Sequence, residues 1–117
     1  MSPFARWFQA QILRKAEGVA ELALEVREEF LQGQGIVHGG ILAALLDSAM
    51  GSAVESAFGR VVTVELSVHY LRPVRFGTLK ARGAVVHGGQ KLVHAQGEAF
   101  LGEERVAWAK GIFYRVG

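Results

Sequence analysis

The residues most suited to chemistry lie within residues 35–51, which read Gly-Ile-Val-His-Gly-Gly-Ile-Leu-Ala-Ala-Leu-Leu-Asp-Ser-Ala-Met-Gly. This apolar run has helical spacing and contains one carboxylate, Asp47. Because a desolvated carboxylate is costly, this acid is either catalytic or turned toward solvent or an arginine. The glycines after His38 leave backbone N–H groups open at a helix N-terminus, where negative charge is stabilised. The stretch therefore carries a candidate oxyanion donor, the Gly39 amide, and a candidate catalytic acid.

Gly39 and Asp47 are too far apart to act on one carbonyl group from the same helix. Eight positions separate them, which is about 12 Å along a helix axis. If both act on one substrate, they come from two copies of the chain. A two-fold axis that sets the helices antiparallel places Gly39 of one copy beside Asp47 of the other, twice. The spacing therefore predicts an active site shared between subunits.

Two helices are expected from the sequence. A short one spans residues 3–10, with Ser2 as N-cap and Pro3 in its first position. The long central one spans residues 38 to about 57 and ends near Gly59, a plausible C′ glycine. Its predicted buried face consists of Leu42, Leu45, Leu46, Ala49, Met50, Ala53 and Ala57.

Six strands complete the predicted α+β fold, at residues 12–16, 19–26, 61–71, 78–86, 91–101 and 105–116. Helix competes with strand in residues 19–26, which are rich in Ala, Leu and Glu, but Gly18 would break any longer helix. The last four strands follow one another through short turns and predict an antiparallel meander. In the first of these, an apolar face is expected from Val62, Val64, Leu66, Val68 and Tyr70.

The apolar central helix must be buried, and only a strongly curved antiparallel sheet is available to wrap it. Such a sheet leaves two edge strands with unpaired backbone groups. We therefore expect a dimer that forms through an edge strand. The 117 residues fit a single domain over residues 1–117. No apolar stretch is expected to span a membrane, and the N-terminus lacks a signal-peptide core, so a cytoplasmic location is expected.

Composition and motif content exclude several kinds of functional site. The absence of cysteine excludes disulfides and thiolate metal sites, and the histidines at 38, 69, 87 and 94 lack metal-ligand spacing, so no metal is predicted. The sequence contains no serine nucleophile elbow, Walker A loop or dinucleotide fingerprint. A lone histidine before two glycines, such as His38, is more often a helix-capping or packing residue than a ligand. The second His-Gly-Gly, at residues 87–89, precedes no helix and is typical of a plain hairpin.

Charge is distributed unevenly along the chain. Residues 1–59 hold four Lys/Arg and seven Asp/Glu, a balance of −3, whereas residues 60–117 hold nine and four, a balance of +5. Solvated strand faces would explain this, and so would a small anionic ligand that carries phosphate. Nucleic acid is not expected, because the basic residues are scattered and no recognition motif is present.

Residues 20–117 resemble the hotdog-fold acyl-CoA thioesterases of the phenylacetic-acid-pathway and 4-hydroxybenzoyl-CoA type. Gln32 stands six residues before His38, and Asp47 stands nine residues after it. The pattern also includes the His-Gly-Gly opening, the segment His69-Tyr70-Leu71-Arg72-Pro73-Val74, and a glycine-containing turn before Lys91. The resemblance implies a hotdog fold, in which a curved antiparallel sheet wraps one long central helix.

The resemblance also implies roles for single residues. The family's helix-start glycine N–H, which polarises the thioester carbonyl, falls on Gly39, and its catalytic carboxylate falls on Asp47 from the other subunit. The amide that orients water or substrate falls on Gln32, and His38 helps to position the site. Coenzyme A contacts fall on Thr63, Tyr70, Arg72, Pro73, His87, Gly88, Gly89 and Lys91, which gives the basic half of the chain a phosphate-bearing partner.

The expected activity is hydrolysis of an acyl- or aryl-CoA thioester by a homodimer or, as a dimer of dimers, a homotetramer. No cofactor is expected, since coenzyme A is part of the substrate. The alternatives are a hotdog hydratase or dehydratase, which pairs a catalytic histidine with an acid, and a non-catalytic acyl-CoA-binding protein. The chain combines Gln32 with Asp47, whereas relatives commonly pair Asn with Asp or Gln with Glu. It also has glycine at position 51, where some relatives carry Ser or Thr near the carboxylate.

Overall fold

A computed structural model describes all residues of the chain, 1–117. The order of elements is α1 (Pro3–Phe8), β1 (Gln11–Ala16), β2 (Val19–Glu25), α2 (Gly39–Phe58), β3 (Val61–Tyr70), β4 (Thr78–Gly88), β5 (Leu92–Leu101) and β6 (Glu104–Arg115). A single turn of 3₁₀ helix, Glu28–Phe30, lies between β2 and α2. All strands form one six-stranded antiparallel sheet in the order β1-β2-β4-β5-β6-β3. The α+β prediction, including the strand at residues 19–26, is confirmed.

Helix α2 lies across the sheet and contacts all six strands. Six strands laid flat span about 24 Å, more than twice the width of a helix, so contact with every strand requires the sheet to curve around α2. The buried side of α2 consists of Leu42, Leu45, Leu46, Ala49, Met50, Ala53 and Val54. The prediction of Ala57 as buried is wrong: Ala57 is exposed because it lies in the last turn, and Val54 is buried instead.

A glycine in β4 sets how close the helix comes to the sheet. A Cβ atom at Gly83 would collide with the backbone carbonyl of Ala49 and lie 2.7 Å from the Met50 nitrogen. The missing side chain therefore lets the backbone of α2 rest directly on the strand. By length and composition alone α2 could cross a membrane, but here it is the central helix of the fold.

The meander prediction is wrong for β3. Strand β3 pairs with β6 at one edge of the sheet, while β4 pairs with β2 and β5. Tight turns force sequence neighbours to pair, but residues 71–77 form a longer connection that docks onto the loop before α2. Val74 in that connection is buried, and its carbonyl accepts a hydrogen bond from the Val37 N–H at 2.7 Å. The free edges of the sheet are therefore β1 and β3.

The predicted apolar face of β3 is also wrong in its first half. The register with β6 shifts between Thr63 and Glu65, which makes Val64 a bulge residue. A bulge reverses which side chains face inward, so Val62 and Val64 are exposed at 52% and 58%. Thr63, the residue before the bulge, instead turns its side chain toward α2, although it remains exposed.

The N-terminal helix α1 begins at the predicted cap, where Ser2 Oγ accepts a hydrogen bond from the Ala5 N–H at 3.1 Å. It ends at Phe8 rather than residue 10, because Gln9 adopts a left-handed conformation with φ 59°. Phe8 is buried against Phe30 of the 3₁₀ turn, with ring centroids 5.7 Å apart. Helix α1 thus covers the loop that leads into α2.

Candidate active site

The first turn of α2 leaves one backbone amide without a partner. His38 is the N-cap residue, and its Nδ1 accepts a hydrogen bond from the Gly40 N–H at 2.9 Å. Its backbone carbonyl accepts from the Ile41 N–H at 2.9 Å. Gly39, the first residue of the helix, has no helical partner for its N–H, and the loops and caps supply none. The Gly39 amide is therefore free at the positive end of the helix dipole.

The capping interpretation of His38 is confirmed, and it determines which nitrogen carries the proton. A ring nitrogen that accepts a hydrogen bond has a free lone pair, so neutral His38 bears its proton on Nε2. Its backbone N–H donates to the Phe30 carbonyl at 2.9 Å, which ties the cap to the preceding loop. His38 is thereby held as a helix cap, and its Nε2–H remains available as a hydrogen-bond donor.

The loop before α2 places Gln32 next to this helix end. Leu31 and Val37 form an antiparallel bridge, and the Gln32 N–H donates to the Ile36 carbonyl at 2.8 Å. Gln32 Oε1 accepts a hydrogen bond from the Gln34 N–H. The side-chain NH₂ of Gln32 remains available as a donor, and the residue is half-buried.

A cavity of about 490 Å³ opens at this helix end and is called the amide cavity here. Its lining residues are Gln32, Ile36, Val37, His38, Gly39, Leu42, Tyr70, Leu71, Arg72, Pro73 and Val74. The walls are mostly apolar and contain no carboxylate. Arg72 provides the only full positive charge and pairs with Glu104 at 3.2 Å on an exposed surface.

Asp47 lies in a separate depression of about 250 Å³, called the acid groove here. Its lining residues are Asp47, Ser48, Gly51, Ser52, Glu55, Val61, Thr63 and Phe113. Asp47 Oδ1 accepts a hydrogen bond from Thr63 Oγ1 at 2.7 Å. None of the ion pairs in the chain involves Asp47. The half-buried carboxylate is therefore oriented by one hydroxyl and lacks a neutralising cation.

Within one chain the predicted site residues fall into three places. Gln32, His38, Gly39, Tyr70, Arg72 and Pro73 line the amide cavity, whereas Asp47 and Thr63 meet in the acid groove. The hairpin with His87, Gly88, Gly89 and Lys91 lies at the C-terminal end of α2, where a Cβ on Gly88 would collide with Phe58. Within one chain, then, the candidate oxyanion donor and the candidate acid do not meet.

The hairpin at residues 87–91 forms as predicted, with a different turn. Gly88 is still paired with Val93 in the sheet, and the Gly89 N–H donates to the Leu92 carbonyl at 2.8 Å. The turn is therefore centred on Gln90 and Lys91 rather than on the two glycines. Arg115 packs beside it, with its guanidinium 5.2 Å from the centre of the Phe58 ring.

Two contacts at the site escaped sequence reasoning. Thr63 lies near Asp47 only because of the bulge at Val64, which the sequence does not signal. Tyr70 donates its hydroxyl proton to the Gly39 carbonyl at 2.7 Å, across 31 positions of sequence. Both contacts depend on how β3 is placed beside α2, and strand pairing over such separations leaves no local pattern.

Comparison with known proteins identifies the family. The sequence profile of the thioesterase superfamily matches residues 34–107, which include Gly39, Asp47, Thr63 and the segment 70–73. A candidate esterase from Halobacterium salinarum is 50% identical over 62 residues, a segment that covers 49% of this chain and 40% of that protein. The medium/long-chain acyl-CoA thioesterase YigI of Escherichia coli is 26% identical over 98% of this chain and 86% of that protein.

The solved structures agree in fold over nearly the whole chain. The PaaI protein from the phenylacetic acid degradation operon of Escherichia coli superimposes with a TM-score of 0.93 at 28% identity. The match covers 99% of this chain and 86% of that one. The curved sheet around one central helix is thus the hotdog fold that the resemblance implied, and the chain belongs to the thioesterase superfamily.

Proposed function

We propose that the protein is an acyl-CoA thioesterase, which hydrolyses an acyl- or aryl-CoA thioester to the free acid and coenzyme A. The observation that carries the proposal is the pairing, on one helix of a thioesterase-superfamily chain, of a free N-terminal amide with a carboxylate that no cation neutralises. The names of the relatives YigI and PaaI, an acyl-CoA thioesterase and a phenylacetic acid degradation protein, are in keeping with it.

The chemistry follows from the two groups. The Gly39 N–H, reinforced by the helix dipole, stabilises the oxyanion that forms when the thioester carbonyl is attacked. Asp47 either accepts a proton from the attacking water or attacks the carbonyl itself and is then released by water. In both routes the C–S bond breaks, the acyl group gains a hydroxyl and the coenzyme A sulfur gains a proton. Thr63 orients the carboxylate in either case.

The reacting groups would come from two subunits. Asp47 is about 12 Å along the helix from Gly39 in its own chain, and the two residues line separate depressions. The free edge of β3 is available for pairing with a second copy, which would bring two α2 helices together in antiparallel fashion. A dimer built in this way contains two sites, each with Gly39 from one subunit and Asp47 from the other. A homotetramer would be a pair of such dimers.

Coenzyme A has suitable contacts along that interface. In the antiparallel pair, the partner's hairpin lies beyond the partner's Asp47 at the end of its helix, about 16 Å further along the axis. An extended pantetheine arm would run from the reacting carbonyl in the amide cavity toward two basic residues of that hairpin region, the partner's Lys91 and the partner's Arg115. Arg72 and Tyr70 border the cavity entrance. Phosphates bound there would account for Lys91 and Arg115, two of the nine basic residues in residues 60–117.

A hydratase or dehydratase is disfavoured by the state of His38. Such an enzyme needs a histidine with a free ring lone pair, which removes a proton from the substrate. In neutral His38 the lone pair of Nδ1 accepts from the Gly40 N–H and Nε2 carries the hydrogen, so neither nitrogen is free to act as a base. A purely binding role is disfavoured because Gln32, Gly39 and Asp47 are all present. Coenzyme A belongs to the substrate, so the proposal includes no cofactor, and the cytoplasmic location stays a prediction.

The test is a thiol-release assay over aryl-, short-chain and long-chain acyl-CoA substrates. We expect release of free coenzyme A with at least one class, and a loss of about 10²- to 10⁴-fold in turnover for Asp47→Asn. Glu25→Gln, an equivalent change at an exposed strand end, serves as the control and should retain turnover. The proposal fails if no substrate releases thiol, if Asp47→Asn retains turnover, or if an enoyl-CoA is hydrated without thiol release.

A further inference from the structure

The peptide group between Gly39 and Gly40 is held from both sides by side chains. Its carbonyl oxygen accepts a hydrogen bond from the Tyr70 hydroxyl at 2.7 Å. Its N–H donates to His38 Nδ1 at 2.9 Å. One of these side chains comes from the loop before α2 and the other from the end of β3, so the two bonds approach the peptide from different elements.

This peptide is the place in the helix where restraint matters most. A Gly-Gly pair has more backbone freedom than any other dipeptide, and the first helical turn lacks the full set of helical hydrogen bonds. The free Gly39 amide belongs to the adjoining peptide plane, so rotation of the Gly39–Gly40 plane changes the torsions at Gly39 and redirects that amide. Restraining the peptide therefore fixes the direction of the candidate oxyanion donor.

Tyr70 also explains why position 39 has no side chain. A Cβ at Gly39 would lie 3.2 Å from both Cζ and the hydroxyl oxygen of Tyr70. The ring therefore lies directly over the helix start, on a strand residue whose backbone is paired with Ala107. Gly39 is a helical residue and is not among the glycines with positive φ, so a side chain there would be opposed by contact with Tyr70, which would have to shift by a few tenths of an ångström, and not by the backbone conformation.

We propose that Tyr70 is a positioning residue for the Gly39 amide, and that it acts through the Gly39–Gly40 peptide together with His38. This inference rests on the proposed thioesterase function and departs from the role that family resemblance suggests for Tyr70, a contact with coenzyme A. The two roles make different kinetic predictions. Loss of a coenzyme A contact raises KM, whereas loss of a positioning contact lowers kcat and leaves KM alone.

The test is Tyr70→Phe, which keeps the ring and removes only the hydroxyl. We expect kcat to fall about tenfold and KM to change less than about twofold, with the melting temperature lowered by no more than about 5 °C. Tyr114→Phe is the matched control, because Tyr114 is the only other tyrosine and lies exposed near the end of β6. An unchanged kcat, or a rise in KM alone, would overturn the inference.

Amide hydrogen exchange gives a readout that is independent of activity. Without the Tyr70 hydroxyl, the Gly40 N–H should leave His38 more often and exchange about tenfold faster. Equal exchange rates at the Gly40 N–H in Tyr70→Phe and in the unmodified protein would contradict the proposed restraint of the Gly39–Gly40 peptide. If instead no acyl-CoA is hydrolysed but exchange accelerates as expected, the thioesterase function fails and the restraint of the peptide stands.

Discussion

The two depressions along α2 are held in opposite ways. At the amide cavity the helix start is restrained by His38, by Tyr70 and by the loop that Phe30 anchors, all within one chain. In the acid groove Asp47 has a single hydrogen-bond partner, Thr63. One chain is thus sufficient to place the candidate oxyanion donor, whereas Asp47 is held by a single contact and leaves room for the partner that the proposed shared site requires.

At the amide cavity, the largest expected effect comes from removing the free amide itself. Gly39→Pro deletes the N–H at the first helical position, where proline is best tolerated, and His38 already has the extended conformation that a following proline requires (φ −59°, ψ 136°). We expect kcat in the thiol-release assay to fall about 10²- to 10³-fold. Gly39→Ala is the control, because it brings the same Cβ toward Tyr70 and keeps the N–H.

Mixing subunits separates a shared site from one contained in a single chain. Random reassembly of Gly39→Pro with Asp47→Asn should restore about a quarter of the unmodified activity, since half of the dimers then hold one intact site of two. Each variant alone should stay inactive. No recovery on mixing, with heterodimers verified by mass, would contradict the shared arrangement.

An intermediate effect is expected in the acid groove. Thr63→Val keeps the shape of the side chain and removes the hydroxyl that orients Asp47, so kcat should fall about tenfold. Thr63→Ser retains the donor and should stay within about threefold of the unmodified protein. If Thr63 serves only coenzyme A binding, the valine variant will change KM and not kcat.

The smallest effect concerns stability near the amide cavity. Arg27 donates to the carbonyls of Trp7 and Phe8 at 2.6 and 3.0 Å, and its guanidinium lies 4.0 Å from the Phe30 ring centre. Arg27→Met should therefore lower the melting temperature by about 5 °C, measured by thermal denaturation.

The control for Arg27 is Arg105→Met. Arg105 pairs with Glu98 at 2.8 Å on the surface and is 47% exposed. Because exposed pairs contribute little, this change should cost less than about 2 °C. Equal losses in the two variants would show that Arg27 does not anchor α1 to the loop.

The contrast between the two depressions also explains what could be read from the sequence. The cap at His38, the free amide and the helical position of Asp47 depend on residues a few positions apart, and local patterns predict them. The pairing of β3 with β6, the bulge at Val64 and the partners of Asp47 and Gly39 depend on contacts far apart along the chain. Family resemblance identifies Tyr70 and Thr63 as site residues, but it does not predict the contacts that they make with Gly39 and Asp47.

The absence of a side chain at Gly83 limits how this protein can be engineered. The residue lines neither depression, yet it sets how closely α2 packs on the sheet, and α2 carries both candidate catalytic groups. Any side chain there would lift the helix and move Gly39 and Asp47 relative to the sheet. Engineering that aims at a new acyl group should therefore vary the cavity walls and leave this strand position untouched.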